Sequence, residues 1–280
     1  MKRLPRKKAL ANFTARGSGE KVRIAVLSVL LSCSLFVCAQ ESIKDVRSMP
    51  ECYFLETEDV ANSLFLLPEP PGQGSALFRY DEERYQWGKQ LRDTPRGEQA
   101  SADANLEGEG VPIAFSEVFG IRISKDDTPE IYKLVLKMRE DAGDLATRKA
   151  KNHYMRVRPF SYYHEQTCNT AQQQELSSNG SYPSGHTAIG WATALVLAEI
   201  NVDRQNEILK RGYDMGESRV ICGYHFQSDV DAARLVASAV VARLHANKAF
   251  ARQLAKAKKE FRRLTKAGRI AQSGHPSIHL

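Results

Sequence analysis

Apolar residues recur at helical spacing along most of this chain, and nowhere do they alternate with polar residues over the length of a strand. The run from His186 to Ile200 is apolar on every side, a pattern typical of a buried helix. Between residues 78 and 91 and between 131 and 145 the apolar positions fall at roughly helical spacing and mark one packed side. The pattern predicts an all-α fold, a single-domain helical bundle.

Start and stop signals give several of these helices approximate ends. Thr128-Pro129-Glu130 combines a cap, a first-turn proline and an acid, so we expect a helix that begins here and continues to about Tyr154. It must end before Pro159, because proline disfavours helical geometry in the residue that precedes it. The turn before the apolar run contains Ser184, which we expect to cap that helix.

The remaining segments complete the predicted organisation. Further helices are expected over residues 96–106, from a cap at Asp203 to about residue 222, and over 230–245. The polar and glycine-rich stretches 107–120 and 160–182 are predicted to be loops. We therefore expect an extended N-terminal segment over 40–73 and a helical domain over 74–261.

The first 39 residues have the features of a secretory signal peptide. Eight Lys or Arg and one acid precede or flank an apolar run from Ile24 to Ala39, and Val37-Cys38-Ala39 resembles a cleavage site before Gln40. A membrane anchor is the alternative, but about sixteen apolar residues are fewer than the ~20 that span a bilayer. A lipoprotein cleaved before Cys33 is a minor alternative. We expect a periplasmic protein without integral membrane association after signal removal.

Charge is distributed unevenly along the rest of the chain. From residue 40 onward there are 32 basic and 32 acidic residues, so the apparent basicity of the whole sequence does not favour a nucleic-acid partner. Ten basic residues and one acid, Glu260, follow from Arg243 onward. This part predicts either a helix that binds an anionic ligand or a solvated terminal helix that packs through Phe250, Leu254, Phe261 and Leu264; we favour the second. Residues 262–280 are expected to form a frayed basic tail.

Three cysteines, Cys52, Cys168 and Cys222, follow the predicted signal peptide. At most one internal disulfide is possible, and the sequence does not determine which two residues form it, although the distance between Cys168 and Cys222 is the one to check. No C-x-x-C pair occurs, so neither a zinc site nor a disulfide framework is indicated.

Three separated clusters combine residue types that phosphoryl transfer requires. They are Lys151-x6-Arg158-Pro159, then Pro183-Ser184-Gly185-His186, then Ser218-Arg219-x5-His225-x3-Asp229. The clusters supply three cations, a helix N-terminus and two histidines, which could balance phosphoryl charge, attack phosphorus and protonate the leaving oxygen.

Each residue in these clusters is ordinary by itself, so the assignment depends on all three together. His225 and Asp229 at positions i and i+4 could share a helical face. The carboxylate would then accept the Nδ1 proton and leave Nε2 of His225 as the nucleophile. His186 is the candidate acid for the leaving alkoxide.

The triple pattern resembles the phosphatidic acid phosphatase type 2 and haloperoxidase superfamily. The stretch from Gly180 to Thr187, Gly-Ser-Tyr-Pro-Ser-Gly-His-Thr, is similar to the signature of bacterial class A non-specific acid phosphatases, and the likeness extends from about Leu66 to Phe261. The resemblance implies a metal-independent, cofactor-free, all-α periplasmic phosphomonoesterase, often oligomeric; we expect a dimer.

The resemblance also implies a role for each residue of the clusters. His225 would be the catalytic nucleophile that becomes phosphohistidine, His186 the general acid, and Asp229 the residue that orients His225. Phosphate binding falls to Lys151, Arg158, Ser184, Gly185 and Arg219. Small phosphomonoesters, including nucleotides, would be substrates, vanadate and orthophosphate would inhibit, and phosphate could also be passed to an alcohol.

A vanadate-dependent haloperoxidase would use the same residues to hold vanadate, and remains the alternative enzyme. Non-catalytic binding of an anionic ligand through the basic C-terminal helix is the alternative outside catalysis. A lipid phosphatase is disfavoured, because no further stretch of the chain is long and apolar enough to span a membrane.

Overall fold

The computed structural model describes residues 52–106 and 108–271, and in them it contains helices and turns but no strand. The predicted signal peptide and its cleavage site lie outside the described residues. The helices, in chain order, are α1 Ser63–Leu66, α2 Ala76–Gln90, α3 Pro95–Ala102, α4 Gly110–Phe119, α5 Pro129–Glu140, α6 Arg148–Tyr154, α7 Pro159–Tyr162, α8 Gln173–Ser177, α9 Gly185–Ile200, α10 Gln205–Ile221, α11 Gln227–His245 and α12 Lys248–Lys266. The all-α prediction is confirmed.

Helix α9 is the centre of the bundle. All but five of its 16 residues are buried, and it packs chiefly against α10 and α11. The close approach of α10 requires a glycine at position 212, since a Cβ there would lie 2.4 Å from the Cβ of Ala194. The uniformly apolar run of the sequence therefore forms the buried helix that its pattern predicts, and this helix carries the Ser-Gly-His motif at its start.

The basic C-terminal helix α12 is part of the core. Phe250, Leu254 and Leu264 are buried, and α12 packs along α5. The carboxylate of Glu260 accepts hydrogen bonds from the backbone N–H groups of Glu130 (3.1 Å) and Ile131 (3.0 Å), at the start of α5. The packed terminal helix favoured by the sequence is thus what the structure contains.

Helix α5 begins as predicted, with Thr128 at the N-cap position and Pro129 as the first helical residue. The hydroxyl of Thr128 makes no capping hydrogen bond, however, because it accepts the N–H of Ser124 (3.0 Å) instead. The frayed tail expected from residue 262 was wrong for the described residues up to 271. Beyond residue 261 helix α12 continues to Lys266, and the N–H of Ala271 donates to the carbonyl of Gly120 (2.8 Å). The chain therefore remains packed on the domain as far as residue 271.

The long helix predicted from residue 129 to 154 is interrupted. A π-helical segment, Asp141–Leu145, and a turn separate α5 from α6. The carboxylate of Asp141 accepts the N–H groups of Phe54 (3.0 Å) and Leu55 (3.0 Å), and burial raises its pKa to about 7. The irregular helix thus anchors the N-terminal segment, which itself contains the short helix α1.

Other boundaries differ from the sequence-based expectations. Residues 110–119, predicted as loop, form α4, and the predicted loop 160–182 contains the short helices α7 and α8. Asp203 lies in a 3-10 turn before α10 and does not begin that helix, and α11 begins at Gln227 rather than at residue 230. No helix within 52–106 and 108–271 is both long and apolar enough to span a membrane.

Candidate active site

The turn between α10 and α11 carries His225. Its backbone N–H donates to the carbonyl of Arg219 (3.3 Å), and the turn follows Cys222, which caps the end of α10. Cys222 forms a disulfide with Cys168, with 4.8 Å between their Cα atoms. The disulfide therefore ties the segment before the Ser-Gly-His motif to the turn that holds the histidine.

His225 and Asp229 do not share a helical face as the i, i+4 spacing suggested. His225 precedes α11, whose N-cap is Phe226, while Asp229 lies in the first turn and accepts the N–H of Phe226 (2.8 Å). The distance from Nδ1 of His225 to Oδ2 of Asp229 is 3.5 Å, outside the 2.7–3.2 Å usual for an N–H···O hydrogen bond. Their contact is therefore weaker than the sequence analysis assumed.

Arg158 determines which nitrogen of His225 carries the proton. Its Nη1 lies 3.0 Å from Nε2 of His225. Because a guanidinium can only donate, Nε2 must accept, and the proton of the neutral ring is on Nδ1. Burial and the charge of Arg158 lower the pKa of His225, although Asp229 raises it. The ring is thus held neutral, with the lone pair of Nε2 toward the cations.

A serine that the sequence analysis did not assign lies between His225 and Asp229. The hydroxyl of Ser181 is 3.2 Å from Nδ1 of His225 and donates a short hydrogen bond to Oδ2 of Asp229. On its other oxygen Asp229 accepts Nη1 of Arg156 (2.5 Å). Burial raises the pKa of Asp229, but the charge of Arg156 and the contacts with His225 and Ser181 lower it well below its usual value. Asp229 is therefore ionised.

Arg156 is held in turn by a carboxylate from α2. Its Nη2 donates to Asp81 (2.8 Å), whose side chain also accepts the N–H (2.8 Å) and the hydroxyl (2.6 Å) of Ser228. Both Asp81 and Asp229 are completely buried. This network fixes the start of α11 and with it the position of the Asp229 carboxylate.

Two buried arginines and a lysine supply positive charge at the candidate site. Arg158 donates through Nε to the carbonyl of Asn179 (3.0 Å) and through Nη1 to that of Tyr224 (3.2 Å), and its Nη2 makes only a longer contact, with the carbonyl of Gly180 (3.4 Å). Nζ of Lys151 donates to the carbonyls of Gly180 (3.0 Å) and Pro183 (2.8 Å). Lys151 and Arg158 therefore hold the turn that precedes α9.

Arg219 is different, because none of its three side-chain nitrogens has a hydrogen-bond partner among the described residues. The residue is 1% exposed, and its guanidinium lies 4.0 Å from the centre of the Tyr224 ring. Burial, and then the nearby charge of Arg158, lower its pKa to about 9. The charge of Asp103 raises this pKa, but Asp103 is itself paired with Arg211, so Arg219 has no hydrogen-bonded counter-ion among the described residues. A buried cation in this state is destabilising, so the geometry indicates a site for an anion.

The start of α9 adds hydrogen-bond donors. The hydroxyl of Ser184 accepts the N–H of Thr187 (3.3 Å), as expected for the cap, while its backbone N–H donates to the carbonyl of Asp229 (3.0 Å). The N–H groups of Gly185 and His186 precede the first intrahelical hydrogen bond. A Cβ at position 185 would lie 2.9 Å from the carbonyl oxygen of Gly143, so this close approach requires glycine.

His186 lies in the first turn of α9. Its Nε2 is 3.2 Å from the carbonyl oxygen of Ala104, which can only accept, so Nε2 is protonated and Nδ1 is the nitrogen left to exchange a proton. Burial, then the charges of Arg219 and His225, lower its pKa well below its ordinary value. Since these groups act on the pKa of His186, His186 lies near the buried arginines and His225.

Comparison with known proteins shows the family to which the chain belongs. A family model described as the PAP2 superfamily matches residues 142–252. A non-specific acid phosphatase of Providencia stuartii is 60% identical over 222 residues, which are 79% of this chain and 90% of the relative. The chain belongs to the non-specific acid phosphatase family. A non-specific acid phosphatase of Salmonella typhimurium is 42% identical over 81% of this chain and 90% of its own length, and an acid phosphatase of Zymomonas mobilis is 35% identical over 71% and 75%.

In this member of the acid phosphatase family, the structure brings the eight predicted site residues of the three sequence clusters to one region around the start of α9. Three residues of the network, Ser181, Arg156 and Asp81, were not predicted from the sequence. Ser181 lies within the recognised motif and Arg156 two residues before Arg158, but neither position by itself signals a contact with Asp229. Asp81 belongs to α2, 148 residues before Asp229, and only the folded chain brings them into one network.

Proposed function

We propose that this protein is a secreted acid phosphatase that hydrolyses a broad range of phosphomonoesters, nucleotides included, through a phosphohistidine at His225. The observation that carries the proposal is the buried guanidinium of Arg219, whose three nitrogens have no protein partner, close to the charges of Arg158 and His186. The relatives named as acid phosphatases support this function rather than that of a haloperoxidase.

Binding of the phosphoryl group follows from the donors present. Arg219 and Arg158 supply charge-assisted hydrogen bonds to its oxygens, the start of α9 supplies backbone N–H groups, and Lys151 adds a third positive charge. The hydroxyl of Ser184 can donate as well, since its oxygen already accepts from Thr187. These residues serve here as the phosphate-binding set.

In the first chemical step, the lone pair on Nε2 of His225 attacks phosphorus as the bond from phosphorus to the ester oxygen breaks. The leaving oxygen takes a proton from Nδ1 of His186 and departs as an alcohol. Nδ1 of His225 keeps its proton, so the phosphorylated ring becomes positive and is stabilised by the ionised Asp229. The cations balance the charge on the transferring group throughout.

In the second step, water attacks phosphorus and the bond from phosphorus to Nε2 of His225 breaks. Now neutral, His186 accepts the proton of the water, orthophosphate leaves, and both histidines return to their initial states. If an alcohol replaces water, the same step transfers the phosphate to it. We propose this phosphotransfer as a second activity of the site.

Breadth of substrate follows from the assignment of residues. Among the assigned residues, the phosphate-binding set contacts the phosphoryl group and His186 serves the ester oxygen, so none of them is assigned to the alcohol part and little in this set discriminates among alcohols. The Cys168–Cys222 disulfide is consistent with the oxidising periplasm expected from the predicted signal peptide. We further propose a homodimer.

Vanadate and orthophosphate are expected to inhibit competitively, because each can occupy the anion site at Arg219. EDTA is expected to leave turnover unchanged; within the described residues no three His, Cys, Asp or Glu side chains are grouped to hold a metal ion. Initial rates on p-nitrophenyl phosphate and a panel of nucleotides, with and without each reagent, measure this. Inactivation by EDTA, or bromide oxidation that requires vanadate, would contradict the proposed function.

Activity is expected to be greatest on the acid side of neutrality. Since the pKa of His225 is lowered, this nucleophile stays neutral and competent as the pH falls below the ordinary histidine range. His186, whose pKa is also lowered, needs a proton that arrives with the monoanionic ester or is stabilised by the bound phosphate. Because ester monoanions lose that proton near pH ~6, kcat/KM should fall as the pH rises further.

Substrates with different leaving groups provide a control for the pH profile. His186→Ala should slow alkyl phosphates far more than p-nitrophenyl phosphate, because p-nitrophenolate leaves without needing a proton. Measurement of kcat/KM against pH for both substrates and both proteins makes the comparison. A rate that rises through pH 9, or equal losses for the two substrates, would show that His186 is not the acid.

A further inference from the structure

We propose that Ser181 is a positioning residue, whose hydroxyl orients the nucleophile together with the carboxylate of Asp229. This inference rests on the proposed function of His225. The hydroxyl of Ser181 is nearer to Nδ1 of His225 than the carboxylate is, at 3.2 Å against 3.5 Å, and it also bonds to Oδ2 of Asp229. Ser181 therefore contacts both residues, and Nδ1 of His225 faces two acceptors, the hydroxyl of Ser181 and the carboxylate of Asp229.

The directions of these hydrogen bonds are fixed at both ends. Asp229 is ionised and can only accept, so Ser181 donates its single proton to the carboxylate. The oxygen of Ser181 is then an acceptor for Nδ1–H of His225. At the other side of the ring, Arg158 donates to Nε2. Serine and arginine thus select the same tautomer, the one with a lone pair on Nε2.

The carboxylate of Asp229 cannot easily move closer to His225. Its carboxylate is held by the N–H of Phe226 (2.8 Å) and by Arg156 (2.5 Å), and its backbone carbonyl accepts the N–H of Ser184 (3.0 Å). Ser181 is equally fixed, because it is completely buried and its N–H donates to the carbonyl of Arg156 (2.8 Å). If the hydroxyl is removed, Nδ1–H of His225 keeps only the longer contact to Asp229.

The hydroxyl of Ser181 contributes most to catalysis when the imidazole ring of His225 is positively charged. During formation of the bond between Nε2 and phosphorus, charge develops on the imidazole, and Nδ1–H becomes a stronger donor. Ser181, polarised by the ionised Asp229, accepts this bond in a site that excludes water. Loss of the hydroxyl should therefore lower kcat rather than raise KM.

A double-mutant cycle tests this arrangement. Ser181→Ala and Asp229→Asn are each expected to lower kcat by about 10²-fold or more, since a reacting group misplaced by ~1 Å loses about that much. If the hydroxyl and the carboxylate act as one hydrogen-bonded unit, the double variant is about as slow as the slower single variant; if each acts on His225 independently, the losses multiply. Ser181→Thr, which keeps the hydroxyl, should retain more activity than Ser181→Ala.

The controls separate positioning from folding and from the proposed function. Ser178→Ala removes an exposed hydroxyl that bonds only locally to the carbonyl of Glu175, and should leave kcat unchanged. Nitrogen-15 NMR of the His225 ring should report the Nδ1–H tautomer in both the wild-type protein and folded Ser181→Ala, since Arg158 still donates to Nε2, but with a shifted Nδ1 signal where the hydroxyl acceptor is lost.

Two outcomes would overturn the role of Ser181: a kcat of Ser181→Ala within about twofold of wild type, or multiplicative losses in the cycle. Absence of phosphohistidine in acid-quenched wild-type enzyme would instead contradict the proposed function. Rapid-quench measurement of phosphoenzyme in the wild type and in Ser181→Ala therefore tells the two failures apart.

Discussion

Replacement of His225 by alanine is expected to lower kcat by about 10⁴-fold or more and to remove the phosphoenzyme, because no other side chain presents a lone pair in its place. The fold should survive, since His225 precedes α11 and the start of that helix is held by Asp81, Arg156 and Asp229. Single-turnover kinetics with acid quench measures both the rate and the covalent intermediate.

The matched control is His153→Ala, which removes an exposed histidine on α6. It should leave both the rate and the phosphoenzyme unchanged. Acid-labile phosphate trapped on His225→Ala would assign the nucleophile to another residue, and a small loss of kcat in a folded variant would contradict covalent catalysis at this position.

Arg219→Met is expected to lower kcat/KM by about 10³-fold or more while raising the stability of the ligand-free protein. The loss of rate follows from removal of a buried cation that contacts the transferring group. The gain in stability follows from removal of a buried charge without a partner, a change that can contribute about 1–4 kcal/mol to the free energy of unfolding. Methionine also keeps an apolar contact with the Tyr224 ring.

Thermal unfolding with and without orthophosphate tests this prediction. Orthophosphate should raise the Tm of the wild-type protein, since it binds the folded state, and should raise that of Arg219→Met much less. The matched control is Arg211→Met, which also removes a buried arginine, but one in a bidentate pair with Asp103. That control should lower the Tm. If Arg219→Met is equally destabilised, Arg219 has a structural counter-charge and the anion site is wrong.

Much of the fold is predictable from local patterns. The helix α9 follows from an uninterrupted apolar run, and its cap follows from a serine just before that run. Where the sequence analysis failed, the local pattern was overridden by distant contacts. The segment that forms α4 looks loop-like because it opens with glycines, yet Val111, Phe115 and Phe119 are buried in the core and stabilise the helix.

The candidate site likewise has features that local sequence predicts and features that depend on distant contacts. The sequence by itself determined which residue types are available, the cations, the two histidines and the helix start, because these are recognisable in short motifs. It also suggested a direct contact of His225 with Asp229, because spacing was the only geometry available. The two side chains do approach each other, with 3.5 Å between Nδ1 of His225 and Oδ2 of Asp229, but they do not share a helical face, since a helix begins between the two residues. Ser181, from another segment, lies against both.

Only the tertiary structure decided which of these groups have partners and which do not. It assigned carbonyl partners to Arg158 and none to Arg219, placed Glu260 at the start of α5, and joined Asp81 to the network behind the nucleophile. The physical reason is that hydrogen bonds and burial depend on atoms brought together by packing, often more than 100 residues apart in the chain, whereas helix propensity, capping and motif composition depend on neighbours a few residues away.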